Sequence, residues 1–163
     1  MSKLYLDIET TGLSRERNEV TVVGAYDGDK VYQLVKGRNL SHKSIEDLLC
    51  LAEEIVTYNG KRFDIPFLEH NYDLNIDIDH RDLMYLGWKC DLKGGLKAIE
   101  KKLGIGRDSG VCGGSEAVRL WKRYKNKDCR ESLRKLLMYN REDVVNLVEV
   151  EKVILKRLEK QNS

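Results

Sequence analysis

The sequence is poor in proline, has no long apolar run and contains no paired cysteine motif. Pro66 is the single proline among 163 residues, and no low-complexity run marks a linker. No stretch reaches the roughly 18–20 apolar residues that a membrane-spanning helix needs, and the apolar core of a signal peptide is absent. We therefore expect one domain covering residues 1–163, located in the cytoplasm and without a membrane contact.

The cysteines and histidines are scattered. No cysteine belongs to a CxxC pair or has a histidine at ligand spacing, so the pattern disfavours structural zinc and a disulfide framework. It predicts free, mostly buried thiols at four positions: Cys50, Cys90, Cys112 and Cys129.

Charge is divided unevenly along the chain although the net charge is only +2. Residues 1–96 carry 12 basic and 17 acidic side chains, whereas residues 97–163 carry 17 basic and 10 acidic ones. An acidic half beside a basic half suits a cation-holding site with a flank for a polyanion. A basic run at residues 122–127 either grips phosphates or is a solvated helix face.

Periodicity predicts strands first, one helix between strands, and helices to the end. The predicted strands are Lys3–Ile8, Glu19–Tyr26, Lys30–Val35, Glu54–Tyr58 and Asp77–Asp82. The predicted helices are Ser44–Leu51, Asp64–Asn71, Leu96–Leu103, Glu116–Tyr124 and, as one or two helices, Arg130–Leu158. The glycines of segment 104–114 predict a mobile loop. This order indicates an α/β fold with a mixed five-stranded sheet, three antiparallel strands first, and helices on its faces.

Asp7 and Glu9 form the first candidate site. Residues i and i+2 of a strand point to the same face, and the apolar neighbours of this pair indicate a central strand. Two adjacent carboxylates repel each other unless a divalent cation lies between them, and hard oxygen ligands suit Mg²⁺ or Mn²⁺ better than zinc. The alternative is two exposed carboxylates at the end of a strand.

Asp64 and Asp143 lie in two further constellations. Asp64 stands at a predicted helix start beside Asn59 and Phe63, which suit contacts to a sugar–phosphate chain, although Asp64 in this place could also be a helix cap. Tyr139 lies one helical turn before Asp143, and the pair could also be a hydrogen-bonded core pair. Convergence of all four carboxylates would supply what a two-metal phosphoryl-transfer site requires.

Three motifs in order carry a family resemblance. LDIETTGL at residues 6–13, YNGKRFDIPFL at 58–68 and YNREDV at 139–144 resemble the exonuclease motifs of the DnaQ-like DEDD superfamily. GGLKAIEKKLGI at 94–105 resembles its YprB-type, ribonuclease H-like branch. The resemblance implies a ribonuclease H-like fold and a metal-dependent 3′–5′ exonuclease. The implied substrates are 3′ ends of single-stranded DNA, with RNA as the other option, and the implied process is DNA repair.

The resemblance also implies residue roles. The implied ligands of two divalent cations, Mg²⁺ or Mn²⁺, are Asp7, Glu9, Asp64 and Asp143. Tyr139 matches the water-orienting tyrosine of the DEDDy subgroup, since Met138 stands where the other subgroup has histidine. The implied contacts to the terminal nucleotide are Thr10, Leu13, Asn59 and Phe63, with Leu13 wedged against a base. A structure-selective endonuclease of the same fold and a non-catalytic nucleic-acid-binding module remain alternatives.

Overall fold

The alternating apolar residues of the first segment form a strand at the centre of a sheet. The computed structural model describes residues 1–163 as five strands and six helices. The strands are β1 (Lys3–Thr10), β2 (Val20–Tyr26), β3 (Val31–Val35), β4 (Glu54–Thr57) and β5 (Asp79–Asp82). The helices are α1 (His42–Leu49), α2 (Asp64–Tyr72), α3 (Leu83–Lys89), α4 (Leu96–Leu103), α5 (Gly114–Lys127) and α6 (Arg130–Gln161).

The sheet has the strand order β3-β2-β1-β4-β5. β1 pairs antiparallel with β2 and parallel with β4, β2 pairs antiparallel with β3, and β4 pairs parallel with β5. The predicted mixed five-stranded α/β architecture, with three antiparallel strands first, is confirmed. Because β1 has a partner on each side, it lies in the interior of the sheet.

Helices cover both faces of the sheet. Leu4, Leu6 and Ile8 of β1 belong to a core that also contains buried residues of α1 and α2. Tyr5 belongs to a different core, built with residues of α3, α4 and α6. Since side chains alternate along a strand, Asp7 shares the α6 face with Tyr5, and so does Glu9.

Helix α6 is one continuous helix of 32 residues that lies along β1. At one end Glu151 accepts hydrogen bonds from the Tyr5 hydroxyl at 2.6 Å and from Lys3 Nζ at 2.8 Å. Eight helical residues rise about 12 Å, close to the span of four strand residues. Asp143 therefore comes level with Glu9 when Glu151 is level with Tyr5.

Other sequence expectations have mixed outcomes. Helix α3 is a separate short helix, and Asp82 caps it by accepting a hydrogen bond from Met84 N at 3.1 Å. The cysteines are free as predicted, but the prediction that they are mostly buried is wrong, since only Cys90 is buried. The other three lie in surface turns and loops that the apolar pattern does not place in a core. No helix in the structure is both long and apolar enough to cross a membrane.

Candidate active site

Three of the predicted carboxylates meet where β1 passes under α6. One oxygen from each of Asp7, Glu9 and Asp143 lies within 4.8 Å of the others. Asp7 and Glu9 reach this point because they are two residues apart on one strand, and Asp143 reaches it from a buried turn of α6. The ligand atoms that this group offers are all carboxylate oxygens.

The carboxylate group is electrostatically unfavourable by itself. Burial raises the pKa of Asp7 well above its ordinary value, and the charge of Asp143 raises this pKa further. The pKa of Glu9 is raised for the same two reasons, in the same order. Glu9 is only 8% exposed, and its Oε1 atom has no hydrogen-bond partner. An unpartnered carboxylate oxygen inside an all-oxygen cluster fits a hard divalent cation such as Mg²⁺ or Mn²⁺.

Asp64 lies beside this group but outside the three mutually close carboxylates. It occupies the first turn of α2, where its Oδ1 atom accepts a hydrogen bond from the backbone N–H of Ile8 at 3.0 Å. Burial raises the pKa of Asp64 to about 7, despite the opposing effect of that hydrogen bond. Asp64 is therefore attached to the strand that carries Asp7 and Glu9, and it is not a simple helix cap.

The site also contains two basic side chains, Lys97 and Arg107, for which the sequence predicted no role. Lys97 Nζ and an Arg107 guanidinium nitrogen both contact Oδ1 of Asp143. Arg107 is held in place by Glu100, a buried residue of α4, through contacts of 2.7 and 3.1 Å. Lys97 belongs to residues 94–105, which carry only the family resemblance, and Arg107 belongs to residues 104–114, which the sequence predicts to be a mobile loop.

The glycine-rich segment is anchored to α6. The backbone N–H of Ser109 donates a hydrogen bond to Glu142 at 2.9 Å, and both Ser109 and Val111 are buried. These contacts explain how Arg107, which the sequence placed in a mobile loop, arrives at a buried carboxylate.

Tyr139 is buried one helical turn before Asp143, and the charged groups of Lys97 and Arg107 both lie over its ring. Lys97 Nζ is 4.4 Å from the centre of its ring, and the Arg107 guanidinium carbon is 5.1 Å away. Burial, and then the negative charge of Asp143, raise the pKa of the Tyr139 phenol far above its ordinary value. A phenol with its ordinary pKa of about 10 is already protonated at neutral pH, so the Tyr139 hydroxyl can donate a hydrogen bond.

Asn140 joins α6 directly to β1 and was also not foreseen. Its Nδ2 atom donates to the backbone carbonyl and to a carboxylate oxygen of Asp7, each at 3.3 Å, while Oδ1 accepts from Gln33 Nε2 at 3.0 Å. Gly24, opposite Asp7 on β2, makes room for this amide, because a Cβ atom at Gly24 would collide with it. The position of Asp7 is thus fixed by an amide that no spacing rule reveals.

A cleft of about 480 Å³ opens beside the carboxylates. The four predicted substrate contacts all line it: Thr10, Leu13, Asn59 and Phe63. Leu13 is 87% exposed, so its side chain is free to contact a ligand that enters the cleft. Residues of α5 line the cleft as well, at Gly114, Ser115 and Val118.

Asn59 is held in an uncommon conformation at the cleft. Its φ of 65° lies in the left-handed region, and its N–H donates to Asp82 at 2.8 Å. Asp82 also accepts from the N–H of Lys61 at 3.1 Å, so one carboxylate fixes the whole turn. The buried Oδ1 atom of Asn59 has no hydrogen-bond partner in the chain.

A family model described as the RNase_H superfamily matches residues 4–155. The match covers almost the whole chain, and the protein belongs to this superfamily. A comparison with curated proteins gives no match.

Solved structures agree with this assignment. The chain is 21% identical to Brucella melitensis NrnC with bound Mg²⁺, covering 98% of this chain and 75% of that one with a TM-score of 0.66. The same protein bound to pGG is 20% identical, covering 98% and 74% with a TM-score of 0.65. The Aedes aegypti Nibbler EXO domain is 16% identical, covering 98% and 80%, also with a TM-score of 0.65. The family match confirms the ribonuclease H-like superfamily, and these neighbours share the ribonuclease H-like fold that the three motifs implied.

Proposed function

We propose that this protein is a metal-dependent 3′–5′ exonuclease that hydrolyses single-stranded nucleic acid, with DNA favoured and RNA as the other option. The observation that carries the proposal is the meeting of Asp7, Glu9 and Asp143 in an all-oxygen group beside an open cleft. Carboxylates that lie close together and are shielded from water are electrostatically unfavourable by themselves. Such a group suits a site that holds cations and acts on a phosphodiester.

Asp7, Glu9, Asp64 and Asp143 are the proposed ligands of two divalent cations, Mg²⁺ or Mn²⁺. The unpartnered Glu9 oxygen supports a cation here, and Mg²⁺ is bound in the similar NrnC structure. Bound cations would polarise the phosphodiester and make water a better nucleophile near neutral pH.

Three residues of the chain would shape the reaction around these ligands. The Tyr139 hydroxyl would donate a hydrogen bond that orients the attacking water, since a phenol with an ordinary pKa of about 10 is a poor base at neutral pH. Lys97 lines the cleft, and its ammonium group would contact the scissile phosphate. Arg107, fixed by Glu100, would keep Asp143 in one orientation.

The cleft would receive the 3′-terminal nucleotide. The exposed Leu13 would wedge against its base, and Phe63 would offer a ring for stacking. Asn59 and Thr10, which line the cleft, would contact the same nucleotide. The NrnC structure bound to pGG supports a short single strand as the occupant.

Hydrolysis of a 5′-labelled single-stranded oligonucleotide tests the proposal. Wild-type protein with Mg²⁺ or Mn²⁺ is expected to give a ladder of shortened strands, and Asp7→Ala is expected to give none. Asp29→Ala, which removes an exposed carboxylate in the β2–β3 turn, is the matched control and should keep full activity. Absence of cleavage of any DNA or RNA strand with either metal would overturn the proposal.

Two substrates separate the alternatives. An endonuclease of the same fold would cut a circular single strand, on which an exonuclease has no end to start from. A non-catalytic binding module would bind the linear strand without turnover, whether or not metal is added.

A further inference from the structure

Helix α5 carries a row of cations that leads away from the cleft. Its first residues line the cleft, at Ser115 and Val118. Lys122 and Lys125 follow Val118 at positions i+4 and i+7, so they continue the same side of the helix. We call Val118, Lys122 and Lys125 the α5 stripe; both lysines are exposed to solvent.

The positive charge of α5 is almost entirely uncompensated. Glu116 is the only carboxylate of α5. Its ion pair with Lys135 of α6, at 3.5 Å, is the only ion pair that α5 forms. The face of α5 opposite its basic side chains packs in the core through Ala117, Leu120 and Trp121. This packing fixes the rotation of the helix, so its basic side chains face solvent. Five side chains of α5 carry positive charge without a carboxylate partner: Arg119, Lys122, Arg123, Lys125 and Lys127.

We propose that the α5 stripe binds backbone phosphates of the single strand on the 5′ side of the nucleotide in the cleft. From Ser115 to Lys125 the helix rises about 15 Å, so the stripe extends beyond the space that one terminal nucleotide fills. The preferred substrate is then a strand longer than a dinucleotide. This inference rests on the proposed function and adds the length of strand that the protein recognises.

The same helix supplies a matched control on another side. Arg123 and Lys127 follow Glu116 at positions i+7 and i+11, so they lie on the flank that faces Lys135. They are exposed and unpaired like the lysines of the stripe, and their removal changes the net charge equally. A difference between the two pairs therefore reports position and not total charge.

The test compares Lys122→Gln/Lys125→Gln with Arg123→Gln/Lys127→Gln on a dinucleotide and on a strand of about ten nucleotides. For the stripe variant, the KM of the longer strand should rise roughly tenfold, and the slope of log KM against log salt should fall by about 1.4. Its kcat, and its KM for the dinucleotide, should match wild type. The control variant should match wild type on both substrates.

Equilibrium binding makes the test independent of turnover. Fluorescence anisotropy of the 5′-labelled longer strand, measured without added metal, should show the same roughly tenfold weakening in the stripe variant alone. Equal weakening in both variants would overturn the inference, because total charge would then be responsible. Unchanged binding in both, or equally tight binding of polyglutamate to wild type, would also overturn it. An inactive wild type that still binds through the stripe would refute the proposed exonuclease and keep the inference.

Discussion

At the scale of single residues, the candidate site consists of carboxylates that repel one another and of two basic side chains that partly neutralise them. Asp7 and Glu9 are held together on β1 although burial, and then the charge of Asp143, raise the pKa of each carboxyl. Lys97 and Arg107 place positive charge beside Asp143 and over the ring of Tyr139. Each of these side chains would have a separate role in the proposed reaction, and single substitutions can distinguish those roles.

Tyr139→Phe should lower kcat about a hundredfold or more, since it removes the hydroxyl that orients water and leaves the packing of the ring intact. Mg²⁺ affinity, measured by isothermal titration, should stay near that of wild type because the four carboxylates are untouched. Equal turnover by the variant and wild type would show that the phenol does not orient the water.

Lys97→Gln should lower kcat roughly a hundredfold, because a cation directed at the scissile phosphate is lost. Mg²⁺ binding should not weaken, since the substitution removes a positive charge that contacts Asp143. Lys101→Gln, one turn further along α4 and exposed, is the matched control and should behave as wild type. A fall in Mg²⁺ affinity with unchanged kcat would contradict this role.

The sequence reveals only part of this residue set. Asp7 and Glu9 can be predicted to share a face because their spacing of two matches the strand period. Tyr139 and Asp143 follow in the same way from the period of the helix. Asn140 and Arg107 reach the site through tertiary packing, from a buried helix face and an anchored loop, and no local period encodes such contacts.

Among the secondary-structure elements, the contact between α6 and β1 brings the site together. The Tyr5–Glu151 hydrogen bond of 2.6 Å fixes one end of this contact, and Asn140 with Asp7 fixes the other. The sequence predicted the strands and helices from their periods, but it did not predict which helix crosses which strand. That choice depends on close approaches such as the one at Gly24.

Gly24→Ala should separate α6 from the sheet at the site, because the new methyl group would collide with the Asn140 amide. We expect a loss of about 1–3 kcal/mol in the free energy of unfolding, measured by urea denaturation, as for other overpacked sites. Activity should fall as well, since Asn140 holds Asp7. Gly106→Ala is the matched control for stability, because its new methyl group meets no atom within 4 Å and its φ is not positive, so it should unfold like wild type. An unchanged stability of Gly24→Ala would contradict this account of the contact.

For the molecule as a whole, the site is predicted to reduce stability when metal is absent. The pKa of Asp64 is about 7 in the folded protein against an ordinary value of 3.8, so the folded state binds the extra proton between these values. Stability from this group is present below pH 4 and is lost as the pH rises through about 7.

Thermal melts in EDTA between pH 5 and 8 should therefore show wild type losing stability with rising pH relative to Asp64→Asn. The variant keeps an oxygen acceptor for the N–H of Ile8. Added Mg²⁺ should reverse the trend, because cations bind the ionised carboxylates. Identical pH dependence in wild type and variant would exclude Asp64 as the source of this loss of stability.

We also propose that residues 1–163 form one domain, which should melt in a single transition.

The central claim is tested most directly by a time course on one linear single strand that carries different labels on its two ends, with Mg²⁺ or Mn²⁺ present. A 3′–5′ exonuclease releases the 3′ label as a mononucleotide at the earliest times, while the 5′ label passes through a ladder of successively shorter strands. That is the predicted result. Early release of the 5′ label, internal fragments that carry either label, or an intact strand with both metals would contradict the account.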